Sequence, residues 1–231
     1  MPVQAEFEKA GGTFVTPYAD FVVKASKIKA VFFDWDGVFN SGTKGEGISS
    51  SYTETDSMGL NMLRLSYWLS NRKVPFLGVI TGQNNQSAIH LAKREHFHVV
   101  YSGFLNKRLA FDHLLAENGL QADEVAFVFD DILDIAIADV CGLRMAVNNH
   151  ASPLFKSFLK ENGLADYWTA NKGADYAVRE VCDLLIGLNG NYPETLKERI
   201  AFSEYYQQYL GERNAIVTQF YAAKDGGVVP S

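Results

Sequence analysis

The stretch "VFFDWDGVFNSG", Val31 to Gly42, joins an apolar run directly to a pair of carboxylates, Asp34 and Asp36. The apolar residues are continuous rather than alternating with polar ones, which is typical of a strand buried on both faces of a parallel sheet. In open parallel sheets, ligands bind beyond the carboxyl ends of the strands. This stretch therefore predicts a fold class and also the place where a ligand site forms.

Downstream of Lys29, short apolar runs alternate with longer segments of helical pattern. The apolar runs are "KAVFF", "VPFLGVIT", "HVVYSG", "EVAFVFD" and "LRMAV". Their alternation with helices predicts an α/β fold with a doubly wound parallel sheet, covered by helices on both faces. In "NNQS", Asn84 to Ser87, the side chains are predicted to cap a helix, and Gly119 is predicted to end one.

Composition limits the class of partner. The chain has 231 residues, 47% of them hydrophobic, and a net charge of -6. It contains no block of Lys or Arg that could offset a row of phosphates, so we expect no nucleic-acid partner. We also expect no membrane partner, because no apolar run approaches spanning length and the acidic N-terminus is unlike a signal peptide. Cys141 and Cys182 are predicted to be buried free thiols, which fits a cytoplasmic setting.

The chain divides into three predicted regions. Residues 1–28 form a leader of uncertain structure, and residues 29–190 form the main domain. Inside that domain, residues 40–57 are rich in Gly, Ser and Thr, and are predicted to form a short β-hairpin flap or a mobile loop. No large cap domain is expected, because only this flap separates the first apolar run from the next helical segment.

The third region, residues 191–231, is predicted to be a helical extension with a tail. An amphipathic helix is expected over Tyr192 to Ala223, interrupted near Gly211, with an apolar stripe that packs on this domain or on a sister subunit. The final "KDGGVVPS" has no periodicity and is predicted to be a flexible tail.

Polar residues that follow the apolar runs form a chemical set. Its members are Asp34, Asp36, Thr81, Gly82, Lys107, Asp130, Asp131 and Asp134. Converging carboxylates repel one another unless a cation joins them, and a magnesium ion (Mg²⁺) prefers carboxylate oxygens. A hydroxyl and an ammonium group beside that ion are suited to hold phosphoryl oxygens. The set therefore indicates metal-dependent phosphoryl transfer.

These residues carry a resemblance to a known superfamily. "DWDGV", "ITG", Lys107 and "FDDILD" resemble, in order, the four motifs of the haloacid dehalogenase superfamily of phosphatases. "GVITGQNN", "NKRLAFDHLL" and especially "GADYAVREVCDLL" resemble the 3-deoxy-manno-octulosonate 8-phosphate phosphatases and their relatives acting on acylneuraminate 9-phosphates. The match covers roughly Lys29 to Gly187.

The resemblance implies a role for each residue. Asp34 is expected to be the nucleophile and a metal ligand, and Asp36 the general acid and base whose backbone carbonyl also binds Mg²⁺. The phosphate is expected to be bound by Thr81, Gly82 and Lys107. The remaining metal ligand is expected to be Asp130, with support from Asp131 and Asp134. The resemblance also implies a capless homotetramer in which the flap hairpin assembles the subunits and a neighbour's tail helps close the site.

Five positions depart from the family pattern. Thr55 stands where an arginine is usual, Ser57 where a glycine is usual, and Gln83 where a charged residue is usual. Phe129 replaces a glycine, and Leu133 replaces a common asparagine. A missing arginine removes a bidentate partner for a substrate carboxylate. The substrate, a small phosphorylated sugar or sugar acid of octulosonate or nonulosonate type, therefore stays open.

Alternative functions are weighed against this one. A phospho-accepting receiver module also combines acids, Thr and Lys on a doubly wound sheet, but its acidic pair and acceptor Asp come in a different order. A catalytically weakened binding or assembly subunit would explain Thr55, Gln83 and Phe129. Dehalogenation of haloacids needs neither Asp36 nor a metal, so it is disfavoured.

Other polar residues have ordinary explanations beside functional ones. His96 and His98 could suggest zinc, but without a third nearby ligand we expect exposed or hydrogen-bonded histidines. Arg94 is either a substrate or interface residue or one half of a surface salt bridge. His150 is a candidate for lining the site, and Trp35 is expected to be a packing residue.

Overall fold

The structure is a computed structural model that describes residues 2–48, 50–149 and 151–231. His150, considered above for the site, lies outside the described residues. In the described part, the strands are β1 (Thr13–Phe14), β2 (Ala30–Phe33), β3 (Phe76–Thr81), β4 (Val99–Ser102), β5 (Val125–Phe129), β6 (Leu143–Ala146), β7 (Tyr167–Trp168), β8 (Gln219–Lys224) and β9 (Gly227–Pro230). The helices are α1 (Val3–Ala10), α2 (Tyr18–Ala25), α3 (Glu54–Asn71), α4 (Gln86–Arg94), α5 (Lys107–Asn118), α6 (Ile135–Ala138), α7 (Pro153–Glu161), α8 (Ala177–Leu188), α9 (Tyr192–Ile200) and α10 (Glu204–Asn214).

Strand β2 is the centre from which the sheet is wound. The strand order is β1-β7-β6-β5-β2-β3-β4-β8-β9. From β2 the chain adds β3 and β4 on one side and then crosses to add β5, β6 and β7 on the other. These strands and β8 run parallel, while β1 and β9 are antiparallel edge strands. The predicted doubly wound parallel sheet is confirmed. The direction in which strands are added to the sheet reverses at β2, so Asp34, the residue that follows β2, lies at the switch point where such sheets bind ligands.

Both faces of β2 are buried, which explains its continuous apolar sequence. Val31 and Phe33 join an apolar cluster with α3 and α8. Ala30 and Phe32 point to the other face and join a second cluster with α5. Alternate residues of one strand therefore contribute to two separate cores, as expected for a sheet covered by helices on both sides.

The leader packs against the main domain in its described part. Phe14 of β1 lies opposite Tyr167 of β7, and Phe21 of α2 is fully buried in the first cluster. Lys24 donates a hydrogen bond to the buried carboxylate of Asp166 at 2.5 Å. The leader thus completes one edge of the sheet.

The predicted flap hairpin is not formed in the described residues between β2 and α3. Residues 40–48 and 50–53 contain no strand. An isolated two-stranded hairpin is marginal in water without further strands or an apolar face, and this Gly- and Ser-rich stretch supplies little of either. The segment is instead held by single hydrogen bonds, such as that from the Trp35 indole Nε1 to the Ser50 carbonyl oxygen at 3.2 Å.

The prediction for the C-terminal extension is wrong in where its helix breaks. Gly211 lies within α10, and the break falls between α9 and α10 at residues 201–203. Phe202 there has a positive φ of 48°. The Ser203 hydroxyl then caps α10 by accepting a hydrogen bond from the Tyr206 amide at 3.1 Å. The Ser203 cap, rather than Gly211, therefore marks the boundary between the two helices.

The predicted tail is also wrong, because residues 219–230 form a hairpin. Strand β8 pairs in parallel with β4, and β9 folds back on β8. Asp225 and Gly226 connect the two strands with φ values of 51° and 76°. An Asp-Gly pair with positive φ at both residues is the usual two-residue hairpin turn. The end of the chain thus extends the sheet beyond β4.

The remaining polar residues behave as their ordinary explanations predict. Cys141 and Cys182 are buried free thiols. His98 Nδ1 accepts a hydrogen bond from the Leu77 amide at 3.1 Å, and His96 Nδ1 lies 3.2 Å from the Ile216 carbonyl oxygen. Burial, with the nearby positive charge of Arg64, lowers the pKa of His98 to about 4. The two histidines therefore serve separate backbone partners rather than one metal.

Arg94 is the other residue left open by the sequence. Its guanidinium donates hydrogen bonds to both carboxylate oxygens of Glu54, at 2.8 and 2.7 Å. The salt-bridge alternative therefore accounts for its contacts.

No helix in the described part of the chain is long and apolar enough to span a bilayer.

Candidate active site

A cavity of about 350 Å³ opens at the carboxyl ends of the central strands. All eight residues singled out from the sequence line it: Asp34, Asp36, Thr81, Gly82, Lys107, Asp130, Asp131 and Asp134. Residues of four different loops meet there because β2, β3 and β5 are neighbours and α5 starts at the same edge. The topology thus brings together groups that are up to a hundred residues apart in sequence.

Asp34 and Asp134 share the ammonium group of Lys107. Lys107 Nζ lies 2.5 Å from Asp34 Oδ1 and 2.5 Å from Asp134 Oδ1. Lys107 is the first residue of α5, where the helix dipole disfavours a cation, and its side chain is only 2% exposed. Although burial acts to lower the pKa of Lys107, the two carboxylates raise it. The lysine is therefore a fixed positive charge at the floor of the cavity.

Asp36 is held in a different environment, nearer the cavity mouth. Its Oδ1 accepts a hydrogen bond from the Ser50 hydroxyl at 2.7 Å. Its Oδ2 accepts one from Asn85 Nδ2 at 3.0 Å and lies 2.5 Å from Lys44 Nζ. Burial acts to raise the pKa of Asp36, but the bonds from Lys44, Asn85 and Ser50 outweigh it and lower the pKa. Two carboxylates two residues apart thus have opposite electrostatic settings.

Thr81 ends β3 with its hydroxyl facing this polar network. Asn85 Nδ2 donates a hydrogen bond to Thr81 Oγ1 at 2.9 Å, and the Gln83 amide approaches the same oxygen at 3.3 Å. The Asn85 side chain therefore joins Asp36 to Thr81. The predicted capping role of Asn85 is wrong, because its side chain makes no cap bond to α4.

Asp130 follows β5 and packs closely on the turn after Asp36. A Cβ added to Gly37 would lie 2.0 Å from Asp130 Oδ2, and Gly37 has a φ of 85°. Only glycine fits this close approach in this backbone conformation. Gly37 thus lets the Asp130 carboxylate reach the cavity.

Asp131 begins the short turn that follows β5. Its Oδ1 accepts a hydrogen bond from the Ile132 amide at 2.7 Å, while its own amide donates to Asp134 Oδ2 at 3.3 Å. The two aspartates therefore cap a short 3₁₀ turn, and Asp134 is fully buried. This arrangement fixes Asp134 against Lys107.

Three carboxylates form a cluster that could hold a metal ion. Oxygen atoms of Asp34, Asp130 and Asp134 all lie within 4.8 Å of one another. Burial, and then the repulsion from Asp134, raises the pKa of Asp34 to about 7. Burial, and then the repulsion from Asp34, raises the pKa of Asp130 to about 8. Such a cluster favours a hard divalent cation, which would relieve the repulsion. The donor set fits Mg²⁺.

Sequence reasoning missed several residues around Asp36 and did not foresee the place of Asp134 in the cluster. Lys44 and Ser50 lie in the irregular segment after β2, where no periodic pattern assigns a direction to a side chain. Asn85 follows Thr81 by four residues, a spacing that could have indicated a side chain returning to the same strand end. Asp134 was expected only as a supporting residue, yet its oxygen belongs to the three-carboxylate cluster.

Residues 173–179, which form the turn before α8 and its first residues, pack against the backbone near the site. The Arg179 amide donates a hydrogen bond to the buried Asp56 Oδ1 at 2.9 Å, which ties α8 to the start of α3. A Cβ added to Gly173 would lie 2.1 Å from the Gly37 carbonyl oxygen and 2.5 Å from that of Asn40. The backbone that carries Asp36 therefore rests directly on Gly173.

Replacing Gly173 with alanine is expected to lower kcat/KM by about 10- to 100-fold, since displacement of a catalytic group by about 1 Å has costs of this order. The overpacking is also expected to lower the free energy of unfolding by about 1–3 kcal/mol. Steady-state kinetics and thermal unfolding measure the two effects. Gly211→Ala is the matched control, because a Cβ there meets no atom within 4 Å. Equal behaviour of the two variants would contradict the bracing role.

Comparison with known proteins gives the chain's relatives. The 3-deoxy-D-manno-octulosonate 8-phosphate phosphatase KdsC of Escherichia coli strain K12 is 31% identical over 201 residues, covering 83% of this chain and 99% of KdsC. A crystal structure of a probable YrbI-family phosphatase from Pseudomonas syringae pv. phaseolica 1448a is 28% identical, with a TM-score of 0.67, covering 79% of this chain and 98% of that one. No protein-family model matches the sequence.

A third relative shares the fold. The 3-deoxy-D-manno-octulosonate 8-phosphate phosphatase of Moraxella catarrhalis, crystallised with magnesium, phosphate and KDO, is 24% identical with a TM-score of 0.67, covering 81% of this chain and all of that one. Fold and relatives together define an α/β phosphatase of the haloacid dehalogenase superfamily. Within that class, the chain belongs to the 3-deoxy-D-manno-octulosonate 8-phosphate phosphatase family.

Proposed function

We propose that the protein hydrolyses the phosphate monoester of a small sugar acid, of octulosonate or nonulosonate type, through an aspartyl phosphate on Asp34. The observation that carries the proposal is the convergence of Asp34, Asp36, Thr81 and Lys107 on one cavity beside a cluster of three carboxylates. This set contains a nucleophile, a proton donor and groups that hold phosphoryl oxygens. Each step of a phosphomonoesterase reaction therefore has a candidate residue.

In the first step, a carboxylate oxygen of Asp34 attacks phosphorus and the bond to the sugar oxygen breaks. Asp36 is the proposed general acid that protonates that oxygen, so the sugar acid leaves as an alcohol. Because the pKa of Asp36 is lowered in the ligand-free protein, this role requires that substrate binding raise it. Two features support this division of roles. Lys107 holds Asp34, whose side chain is 9% exposed, whereas the Asp36 side chain is 18% exposed and so lies nearer the cavity mouth.

In the second step, Asp36 takes a proton from water, whose oxygen attacks the phosphorus of the aspartyl phosphate. The bond between phosphorus and the Asp34 oxygen breaks, releasing inorganic phosphate and restoring the carboxylate. Thr81, the Gly82 backbone and Lys107 hold the phosphoryl oxygens through both steps. Ser50 and Asn85 keep Asp36 in place between them.

Mg²⁺ fits the donor set of this cavity. The side chains of Asp34 and Asp130 and the backbone carbonyl of Asp36 are the proposed ligands, with Asp134 and Asp131 in support. When bound, the ion neutralises negative charge on the carboxylates and on the phosphoryl group. The raised pKa values of Asp34 and Asp130 support a need for such a cation.

The relatives support the substrate class. KdsC of E. coli is named for 3-deoxy-D-manno-octulosonate 8-phosphate, an eight-carbon sugar acid. A cavity of about 350 Å³ has room for a ligand of this size when its far end stays in solvent. Thr55 in place of the family arginine leaves the choice between eight- and nine-carbon acids to experiment.

The weakened binding subunit is less well supported than the enzyme. Phe129, one of the departures that motivated it, is fully buried in the second apolar cluster and is a packing residue of β5. Gln83 lines the cavity but replaces no group assigned to the chemistry.

We further propose a homotetramer on the family resemblance, for which light scattering on the purified protein is the direct test.

A substrate panel tests the proposed function. Phosphate release is measured with Mg²⁺ from 3-deoxy-D-manno-octulosonate 8-phosphate, N-acetylneuraminate 9-phosphate, deaminated neuraminate 9-phosphate and glucose 6-phosphate. We expect one sugar-acid phosphate to exceed glucose 6-phosphate in kcat/KM by about 100-fold or more, because an added charged contact contributes on this scale. Turnover of none of them by a folded, metal-binding protein would contradict the proposal.

A further inference from the structure

The two lysines that line the catalytic cavity differ in how far a ligand can reach them. Among the described residues that line it, Lys44 and Lys107 carry positive charges. The Lys107 side chain is 2% exposed and its ammonium is shared by two carboxylates. The Lys44 side chain is 53% exposed and contacts one carboxylate, that of Asp36. Lys44 is therefore the cation that an incoming ligand can reach.

No arginine is present among the described residues that line this cavity. Thr55, at the position of the usual family arginine, is an exposed and uncharged residue in the first turn of α3. Arg94 is paired with Glu54 and Glu95 and is not among the residues that line the cavity. A sugar-acid substrate nevertheless brings a second negative group besides its phosphate. Burying that carboxylate without a cation would be costly.

The position of Lys44 relative to Asp36 decides which negative group it can meet. Asp36, as the proposed proton donor, must contact the oxygen that joins phosphorus to the sugar. Groups bonded to Asp36 from the cavity mouth therefore lie on the sugar side of the phosphorus. Lys107 instead contacts Asp34, which in the proposed in-line displacement attacks phosphorus from the side opposite the sugar oxygen. Lys44 thus faces the sugar acid rather than the buried phosphoryl site.

Lys44 can turn toward a ligand without releasing Asp36. The Asp36 carboxylate keeps a bond from Ser50 to Oδ1 and one from Asn85 to Oδ2. The lysine stem is flexible and its ammonium has three donors. A ligand carboxylate can therefore share or take the ammonium while the proton donor stays in position.

We propose that Lys44 binds the carboxylate of the sugar-acid substrate and sets the preference of this enzyme for acidic over neutral sugar phosphates. This inference rests on the proposed function, since it assigns a residue to the sugar acid named there. It replaces the missing arginine by a lysine from the segment after β2. Specificity then arises from a residue that lies eleven positions earlier in the chain than Thr55.

The test compares Lys44→Met with the wild-type enzyme on two kinds of substrate. One is the best sugar-acid phosphate of the panel, and the other is glucose 6-phosphate, which has no carboxylate. We expect Lys44→Met to lower kcat/KM for the sugar-acid phosphate by about 10- to 100-fold more than for glucose 6-phosphate, chiefly through KM. Lys44→Arg is expected to recover most of the preference, because it keeps the charge.

Lys160→Met is the matched control for the loss of one positive charge, because Lys160 is exposed on α7 and does not line the cavity. An equal loss of kcat/KM on both substrates would mean that Lys44 acts on Asp36 or on the phosphoryl group. That result would overturn the inference and leave the proposed function intact. Unchanged kinetics on both would overturn it as well. Failure of the wild-type enzyme on every sugar-acid phosphate would overturn the proposed function, and this inference with it.

Discussion

Turnover by the Asp34→Asn variant is expected to fall by roughly 10⁴-fold or more, because an amide cannot form the acyl phosphate and nucleophile removal has effects of this size. The fold is expected to persist. Asparagine has nearly the shape of aspartate, and Lys107 keeps its second partner, Asp134. The loss of one of three crowded carboxylates also removes repulsion. The measurements are kcat at saturating substrate and the thermal unfolding midpoint.

Asp123→Asn is the matched control, since the Asp123 side chain is 63% exposed and, among the residues that the structure describes, has Lys27 at 3.7 Å as its one charged partner. It is expected to retain wild-type turnover. Activity of Asp34→Asn within about tenfold of wild type would contradict the role given to Asp34, because a nucleophile cannot be replaced at so small a loss.

Removal of Mg²⁺ by a chelator is expected to lower turnover by more than about 100-fold, and added Mg²⁺ to restore it, because a bound divalent cation contributes several kcal/mol of charge stabilisation. Asp130→Asn is expected to raise the Mg²⁺ concentration needed for half-maximal activity. The titration of activity against free Mg²⁺ measures both effects. Full activity in excess chelator would contradict the metal assignment.

The same metal has a pH signature in stability. Without a cation, the pKa values of Asp34 and Asp130 are about 7 and about 8 in the folded protein, above the ordinary value of 3.8. Between about pH 4 and about pH 8, the folded metal-free protein therefore binds protons that the unfolded chain has released. Its free energy of unfolding is thus expected to decrease as the pH rises through this window. Because Mg²⁺ replaces those protons, it should raise the melting temperature more at pH 8 than at pH 5.

The central sheet could be predicted because its signal is local and redundant. Each central strand is a continuous apolar run. In an α/β chain, such a run is typical of a strand that is buried on both faces of a parallel sheet. Site residues at strand ends, such as Asp34 and Thr81, could be located as soon as the strands were predicted. Their convergence on one cavity follows from topology rather than from any local preference.

The edges of the fold were harder to predict because their signals compete. Asp225 and Gly226 form a hairpin turn whose dipeptide is a strong signal, yet the strands beside it are short and lie at the sheet edge. Gly211 suggested a helix break, but a helix tolerates an isolated glycine at a cost of about 1 kcal/mol. Ser203 supplied the stronger signal as a cap.

The residues around Asp36 could not be predicted from pattern. Lys44 and Ser50 lie in irregular backbone, where side-chain direction depends on contacts between distant segments rather than on a period of two or 3.6 residues. Asn85 was a reasonable cap, but its amide reaches a carboxylate and a hydroxyl instead.

The measurement that tests the central claim most directly is identification of the covalent intermediate. Enzyme quenched during turnover is reduced with borohydride, which converts an aspartyl phosphate to homoserine, and the tryptic peptide 30–44 is sequenced by mass spectrometry. The proposed mechanism predicts homoserine at position 34, absent without substrate and absent in Asp34→Asn. Homoserine at position 36, or none at either position while phosphate is being released, would contradict it.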